Sequence, residues 1–254
     1  MNYTHAELMA LVCARALRDG DVIVTGTRAT LPSAAYRTAQ LLGKPRISAM
    51  IGATGTIDPR VQPVPASGGD VAFIDGRVTL DLVTGVCDQL RGFVDVIFLG
   101  ALQLDRSGRC NLAVIGDYRR PHLRGPGSIG LSMVGSVKRT IMFFERHDPR
   151  MLVERVDFVS GDILRNGGEL LVVTPLAVLG SRAGRAGVSL LSVHPGVSFD
   201  EVQASTGFAL ESERALSTDL PTRTELAALR SLPDGRALAG MVPPIGGVGP
   251  NDPR

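Results

Sequence analysis

The chain of 254 residues carries 27 basic and 25 acidic residues, a formal net charge of +2, and 44% hydrophobic residues. That supplies one substantial core or two small ones and excludes a disordered tail, a mini-protein or a fibre, while the near-neutral charge gives no bulk electrostatic case for nucleic acid. No apolar run approaches the ~20 residues of a membrane-spanning helix, and Met1 to Glu7 lacks a basic region ahead of an apolar one, so a soluble, cytoplasmic protein with no membrane partner is expected.

Thr4-His5-Ala6-Glu7 fits a capping box ahead of Leu8, Leu11, Val12 and Ala16 at helical spacing, which predicts a helix from about residue 5 to 18, stopped at Gly20. Asp21 to Gly26 is a short β-branched run ending in glycine, and Leu31 to Leu42 returns to helical composition before Gly43 and Pro45. Further short apolar runs, Ile47–Ile51, Val94–Leu99, Leu112–Ile115, Thr140–Phe144, Leu170–Val173 and Val188–Val193, have the length of strands buried on both faces. A helix is expected over Thr79–Leu90, and Leu99–Leu112 reads as strand, Asp105-Arg106-Ser107-Gly108 turn, strand. After Gly196 two short capped helices are expected, at Ser198 to Val202 and Thr222 to Leu226, followed by a Gly/Pro-rich arm from Gly240. The chain therefore reads as α/β, one domain over residues 1–254 with a C-terminal extension from about residue 197.

Gly125-Pro126-Gly127-Ser128-Ile129-Gly130 matches the GxGxxG pattern, but it follows the polar Asp117 to Arg124 and not a buried strand, and only Leu131 to Val137 remains for a helix. Two readings stay open: a loop presenting backbone amides to an oxyanion or a phosphate, with Arg119, Arg120 and Arg124 nearby, or a plain glycine-rich turn. His5, His122, His147 and His194 share no HxxxH or HxxE spacing, so no metal site is expected. Ser128 lacks the full GxSxG frame, because Pro126 stands where the first glycine belongs. Cys13, Cys87 and Cys110 are widely spaced without a CxxC pair, which suits a reducing compartment.

An ordered series of segments is more specific than any of these motifs. Phe98 to Asp105, Ile115 to Tyr118, Pro121, Arg124 to Ser128, Lys138 to Thr140 and Val156 to Phe158, with Ser192 to Val197, Leu220 to Thr222 and Glu225-Leu226, resemble the β subunit of glutaconate CoA-transferase and its relatives. The resemblance covers most of the chain. It implies an open, mostly parallel sheet with helices on both faces, an α-subunit partner in a heterodimer or heterotetramer, and an acyl-CoA thioester as substrate with no permanently bound cofactor. It places Gly52, Gly55, Gly125, Gly127, Gly130 and Arg124 at substrate and CoA.

Transferases of that family use a β-subunit glutamate, in a segment resembling Glu-x-Gly-x-x-Gly, to form an acyl anhydride and then a glutamyl-CoA thioester. The matching segment here is Met50-Ile51-Gly52-Ala53-Thr54-Gly55, with Met50 in the glutamate's place, and no Glu occurs between Glu7 and Glu145. Such a loss resembles family members that left transferase chemistry, namely a 3-methylglutaconyl-CoA decarboxylase and the hydrolases that open the last steroid ring as CoA thioesters. The decarboxylase is expected to carry a cysteine near Met50, where this chain has none; the hydrolases take their carboxylate from the α subunit. The leading expectation is hydrolytic carbon–carbon cleavage, or a related non-transferase step, on a carboxylated acyl-CoA, with the loop Gly125 to Gly130 polarising an oxygen through its amides and Thr54 and Ser128 as candidates to orient water or substrate. The alternatives are a CoA-transferase whose carboxylate comes from the partner, and a non-catalytic structural subunit.

Overall fold

A computed structural model describes residues 2–26, 28–65, 67–81, 83–85, 92–128, 130–131, 134–181, 186–210, 216–238 and 241. Helix α1 (His5–Ala16) opens on the expected capping box, Thr4 Oγ1 accepting from the Glu7 amide at 3.2 Å and the Glu7 carboxylate from the Thr4 amide at 2.8 Å. Strand β1 (Val22–Thr25), helix α2 (Thr30–Leu41) and strand β2 (Ser48–Ile51) follow, then the short β3 (Thr56–Ile57) and β4 (Val78–Thr79). After β5 (Val96–Leu99) come the hairpins β6–β7 (Gln103–Asp105, Arg109–Asn111) and β8–β9 (Val114–Gly116, Pro121–Arg124). Strands β10 (Arg139–Phe143), β11 (Leu152–Val153), β12 (Gly161–Asp162), β13 (Glu169–Val173), β14 (Ala177–Ser181) and β15 (Val188–Val193) lead to helix α3 (Phe199–Ala204). The chain continues through β16 (Leu216–Ser217), α4 (Arg223–Ser231) and α5 (Pro233–Arg236).

The main sheet has the order β16-β15-β14-β13-β10-β5-β1-β2-β3-β4. Its centre, β13-β10-β5-β1-β2, is parallel throughout; on one side β14 runs antiparallel to β13 and β15, with β16 added parallel to β15, and on the other β3 runs antiparallel to β2 and β4. Successive side chains of the central strands alternate between two cores. Ile23, Val96, Phe98, Ile141 and Phe143 pack with α1, α2 and α4. Val24, Ile97, Leu99, Met142, Phe144 and Val172 pack on the other face against Val202 of α3 and against Leu104, Cys110, Leu152 and Ile163 on and beside the small sheet β11-β6-β7-β12. Helices thus lie on both faces, the second carrying only a six-residue helix beside a sheet. Burial on both sides is why β1, β5, β10 and β13 read as unbroken apolar runs. Among the described residues no helix is long and apolar enough to cross a membrane.

Three expectations are corrected. Thr79 is not the start of a helix: it pairs with Thr56 in β4, and residues 83–85 are helical, while residues 82 and 86–90 of the expected helix lie outside the described residues. Leu112–Ile115 is not a doubly buried strand, because its β8 portion pairs only with the exposed β9. Val188–Val193 is a strand buried on one side only, antiparallel to β14, a partner the sequence reading missed. The arm from Gly240 lies outside the described residues apart from Met241.

Two charged or polar arrangements inside the fold constrain it. Arg37 on α2 is ion-paired with Asp234 at the start of α5, both side chains buried. Arg37 also donates to the carbonyls of Pro59 at 2.9 Å and Val61 at 3.1 Å, and Asp234 accepts from the Val64 amide at 2.7 Å. Asp234→Ala leaves a buried guanidinium unpaired and is expected to cost about 3–5 kcal/mol in urea unfolding.

The second arrangement is a pair of histidines. His147 places Nδ1 and Nε2 each 2.8 Å from the hydroxyls of Thr174 and Thr206. His194 lies 2.9 Å from the Thr174 carbonyl through Nε2 and 2.9 Å from Thr218 Oγ1 through Nδ1. A carbonyl only accepts, so Nε2 of His194 carries the proton. Burial holds both rings at about 4, Asp148 only weakly opposing this at His147. Both pKa values lie below the unfolded one, so the unfolded chain binds more protons between about pH 6.5 and 4, and stability falls as pH drops through that window, by up to roughly 3 kcal/mol per ring. Urea midpoints measured from pH 7.5 to 4.5 should decline accordingly, with a flatter profile in His194→Gln.

Candidate active site at the carboxyl edge of the sheet

With both faces of the central sheet covered, the strand ends are where a ligand can reach the chain, and in open α/β sheets ligands lie beyond the carboxyl ends. Strands β1, β2, β5, β10 and β13 are parallel, so the turns leaving them share one edge. Met50 stands next to last in β2, 6% exposed, with its side chain in the core that holds Val24 and Ile97.

The following loop is held close to β1. The Gly52 amide donates to the Thr25 carbonyl at 3.0 Å, and a Cβ there would come within 3.1 Å of that oxygen. The amides of Thr54 and Gly55 both donate to the Ile51 carbonyl, at 3.2 and 2.8 Å. Gly55 has φ +68°, and a side chain would meet the Leu80 carbonyl at 2.2 Å. Thr54 Oγ1 is buried with no hydrogen-bond partner among the described residues.

The second glycine loop is organised differently. Gly125 and Gly127 donate their amides to the carbonyls of Ala113 at 3.0 Å and Leu112 at 3.1 Å. A Cβ at Gly125 would fall 2.1 Å from the Leu112 carbonyl, whereas Gly127, at φ +90°, has nothing within 4 Å. With those two amides engaged, the loop amides without a partner among the described residues are those of Ser128 and Gly130; Ile129 lies outside them. Arg124 donates to the Tyr118 carbonyl at 2.8 Å and lies 4.7 Å from the Tyr118 ring centre, which stacks on Phe158. No hydrogen bond among the described residues joins this loop to Gly52–Gly55.

Arg28 and Glu145, which motif reading did not bring together, form an ion pair at 3.0 Å across this edge. The available signal was one charged residue placed just past each of two apolar strands. The thiols are remote from such chemistry: Cys13 is buried in α1 with its pKa raised, and burial pushes Cys110 up to about 12. Cys87 lies outside the described residues. Among the described residues no cluster of His, Cys, Asp or Glu has a metal-holding arrangement.

A doubly covered sheet with a parallel centre and a glycine loop at the carboxyl end of β2 defines an α/β protein of the CoA-transferase fold. Residues 6–205 match the family described as Coenzyme A transferase, and the chain belongs to that family. It is 32% identical over 248 residues to a subunit of the 3-oxoadipate CoA-transferase of Pseudomonas knackmussii, covering 91% of this chain and 93% of that one. It is 28% identical over 248 residues to the IpdB subunit of the cholesterol ring-cleaving hydrolase of Mycobacterium bovis, covering 92% and 96%. The crystal structure of the decarboxylase AibA/AibB superposes with a TM-score of 0.83 at 28% identity, over 95% of this chain and 99% of that one. These relatives are enzyme subunits of differing activity.

The two positive-φ glycines separate backbone strain from crowding. Gly127→Ala is expected to cost about 1–2 kcal/mol from its φ alone. Gly55→Ala adds a clash with fixed backbone and should cost at least roughly 1 kcal/mol more, read as a larger fall in thermal midpoint.

Proposed function

We propose that this chain is the β subunit of a cytoplasmic heteromeric enzyme that binds a carboxylated acyl-CoA thioester and carries out hydrolytic carbon–carbon cleavage, or decarboxylation, with the acting carboxylate supplied by an α subunit. The observation that carries this is Met50: the position matching the transferase glutamate holds an apolar side chain packed into the core, and no glutamate lies between Glu7 and Glu145. A thioether cannot form the acyl anhydride of the ping-pong route.

The similarity to the ring-cleaving hydrolase subunit and the decarboxylase supports a non-transferase step. On this reading the CoA thioester is a substrate and not a resident cofactor, Gly52 and Gly55 shape the turn beside it, and Arg124 and the 125–130 loop approach from the β8–β9 hairpin. Ser128 and Gly130 are the amides left to polarise an oxygen. Thr54 has an unspent hydroxyl with which to orient water or substrate. The chain acts as one family domain with a C-terminal extension from about residue 197.

A second reading is favoured by the 32% identity to the 3-oxoadipate CoA-transferase chain: a transferase whose carboxylate comes from the partner. Mass spectrometry of the complex with its α subunit, incubated with carboxylated acyl-CoAs with and without acetate, separates the two. Under the first reading a hydrated, ring-opened or shortened acyl-CoA forms without acceptor; acetyl-CoA formed only with acetate establishes the transferase instead.

A further inference from the structure

Arg28 lies in the turn between β1 and α2, and Glu145 follows Phe144 at the end of β10; β5 lies between these two strands in the sheet. With neighbouring strands ~4.8 Å apart, the pair spans about two strand spacings and bridges the carboxyl end of β5. The chain leaves β5 at Gly100, where an added Cβ would meet nothing within 4 Å, so there is free space beside the backbone at this strand end. Arg28 makes no other ion pair or hydrogen bond with the described residues, and its side chain is 68% exposed against 28% for Glu145. The same turn leads into α2, whose N-cap Ala29 offers no side-chain acceptor, so the positive end of a twelve-residue helix adjoins the guanidinium uncapped.

An ion pair this exposed contributes little to folding. It leaves most donors of a planar guanidinium unused, at a strand end with free space beside its backbone, on the edge where the substrate is expected. We propose that Arg28 is the specificity-determining residue for the acyl group's free carboxylate, and that Glu145 holds its place until the substrate's carboxylate takes over the guanidinium. This rests on the reading of the substrate as a carboxylated acyl-CoA and adds which residue selects it. The guanidinium exchanges one carboxylate partner for another and the displaced Glu145 carboxylate turns to solvent, so Glu145 competes only modestly with the substrate while keeping Arg28 from a neutral acyl chain.

The test is calorimetric binding to the αβ complex of succinyl-, glutaryl- and adipyl-CoA, each against the monocarboxylic acyl-CoA of the same chain length. Both members of a pair share the CoA moiety, so only the terminal carboxylate differs. The wild type should prefer at least one dicarboxylic member by about tenfold or more, the scale of one charge-assisted hydrogen bond. Arg28→Gln should reduce that preference to within about twofold while leaving the neutral acyl-CoA unchanged, and Glu145→Gln should keep or increase it. A preference that survives Arg28→Gln, or one that Glu145→Gln abolishes together with binding of the neutral acyl-CoA, overturns the inference and makes the pair a loop brace. Wild-type binding of both members equally overturns it while leaving the CoA-thioester reading intact; binding of neither overturns both.

Discussion

Five parallel strands that are apolar on both faces can exist in water only if both faces are covered, and the rest of the molecule follows from that constraint. Helices α1, α2 and α4 cover one face; α3 and the small β11-β6-β7-β12 sheet cover the other. The flanking strands extend the sheet away from this doubly buried centre, and the central strands are left accessible only at their ends. The Arg37–Asp234 pair belongs to the same solution. It ties α5, from the far end of the chain, to α2 and to the segment from Pro59 to Val64, which follows the Gly52–Gly55 loop. Burial there is tolerable because each charged group is paired and hydrogen-bonded besides.

At the two glycine loops, local packing already dictates much of the backbone. Gly55 is required by its φ and by the Leu80 carbonyl, and Gly125 by the Leu112 carbonyl, before any ligand is considered. The pattern of glycines is therefore partly an architectural requirement. The loop at 125–130 shows the consequence: the amides of Gly125 and Gly127 are already donated inward. The loop amides without a partner among the described residues are then fewer than the motif suggests.

The chemistry of the chain is also defined by what the core accepts. Met50 contributes volume to the buried face where relatives are expected to present a carboxylate, and Cys13 and Cys110 are buried well away from thiolate behaviour. Glu145 is the first glutamate to reappear in the chain, and it reappears at the carboxyl edge of the sheet, paired with Arg28.

The sequence by itself determined the helix starts at Thr4, Ser198 and Thr222, the central strands and the β6–β7 hairpin, because capping residues, doubly buried apolar runs and an Asp-x-x-Gly turn act over a few neighbouring residues. The ordered motifs also determined the family, and the missing glutamate was legible from the residue order alone. The tertiary structure decided what depends on pairing across the chain. β3 and β4 were hidden because two residues carry too little pattern, and Thr79 joined a strand because Thr56 was there to pair with it; β14, whose run ends in Gly180 and Ser181, is set by its pairing with β13 and β15. Leu112–Ile115 has the texture of a core strand, yet its neighbours place it in an outlying hairpin. The spent amides of Gly125 and Gly127, the buried Arg37–Asp234 pair and the bridge from Arg28 to Glu145 likewise join residues far apart in the chain, or in separate elements, and local pattern carries no information about such distances.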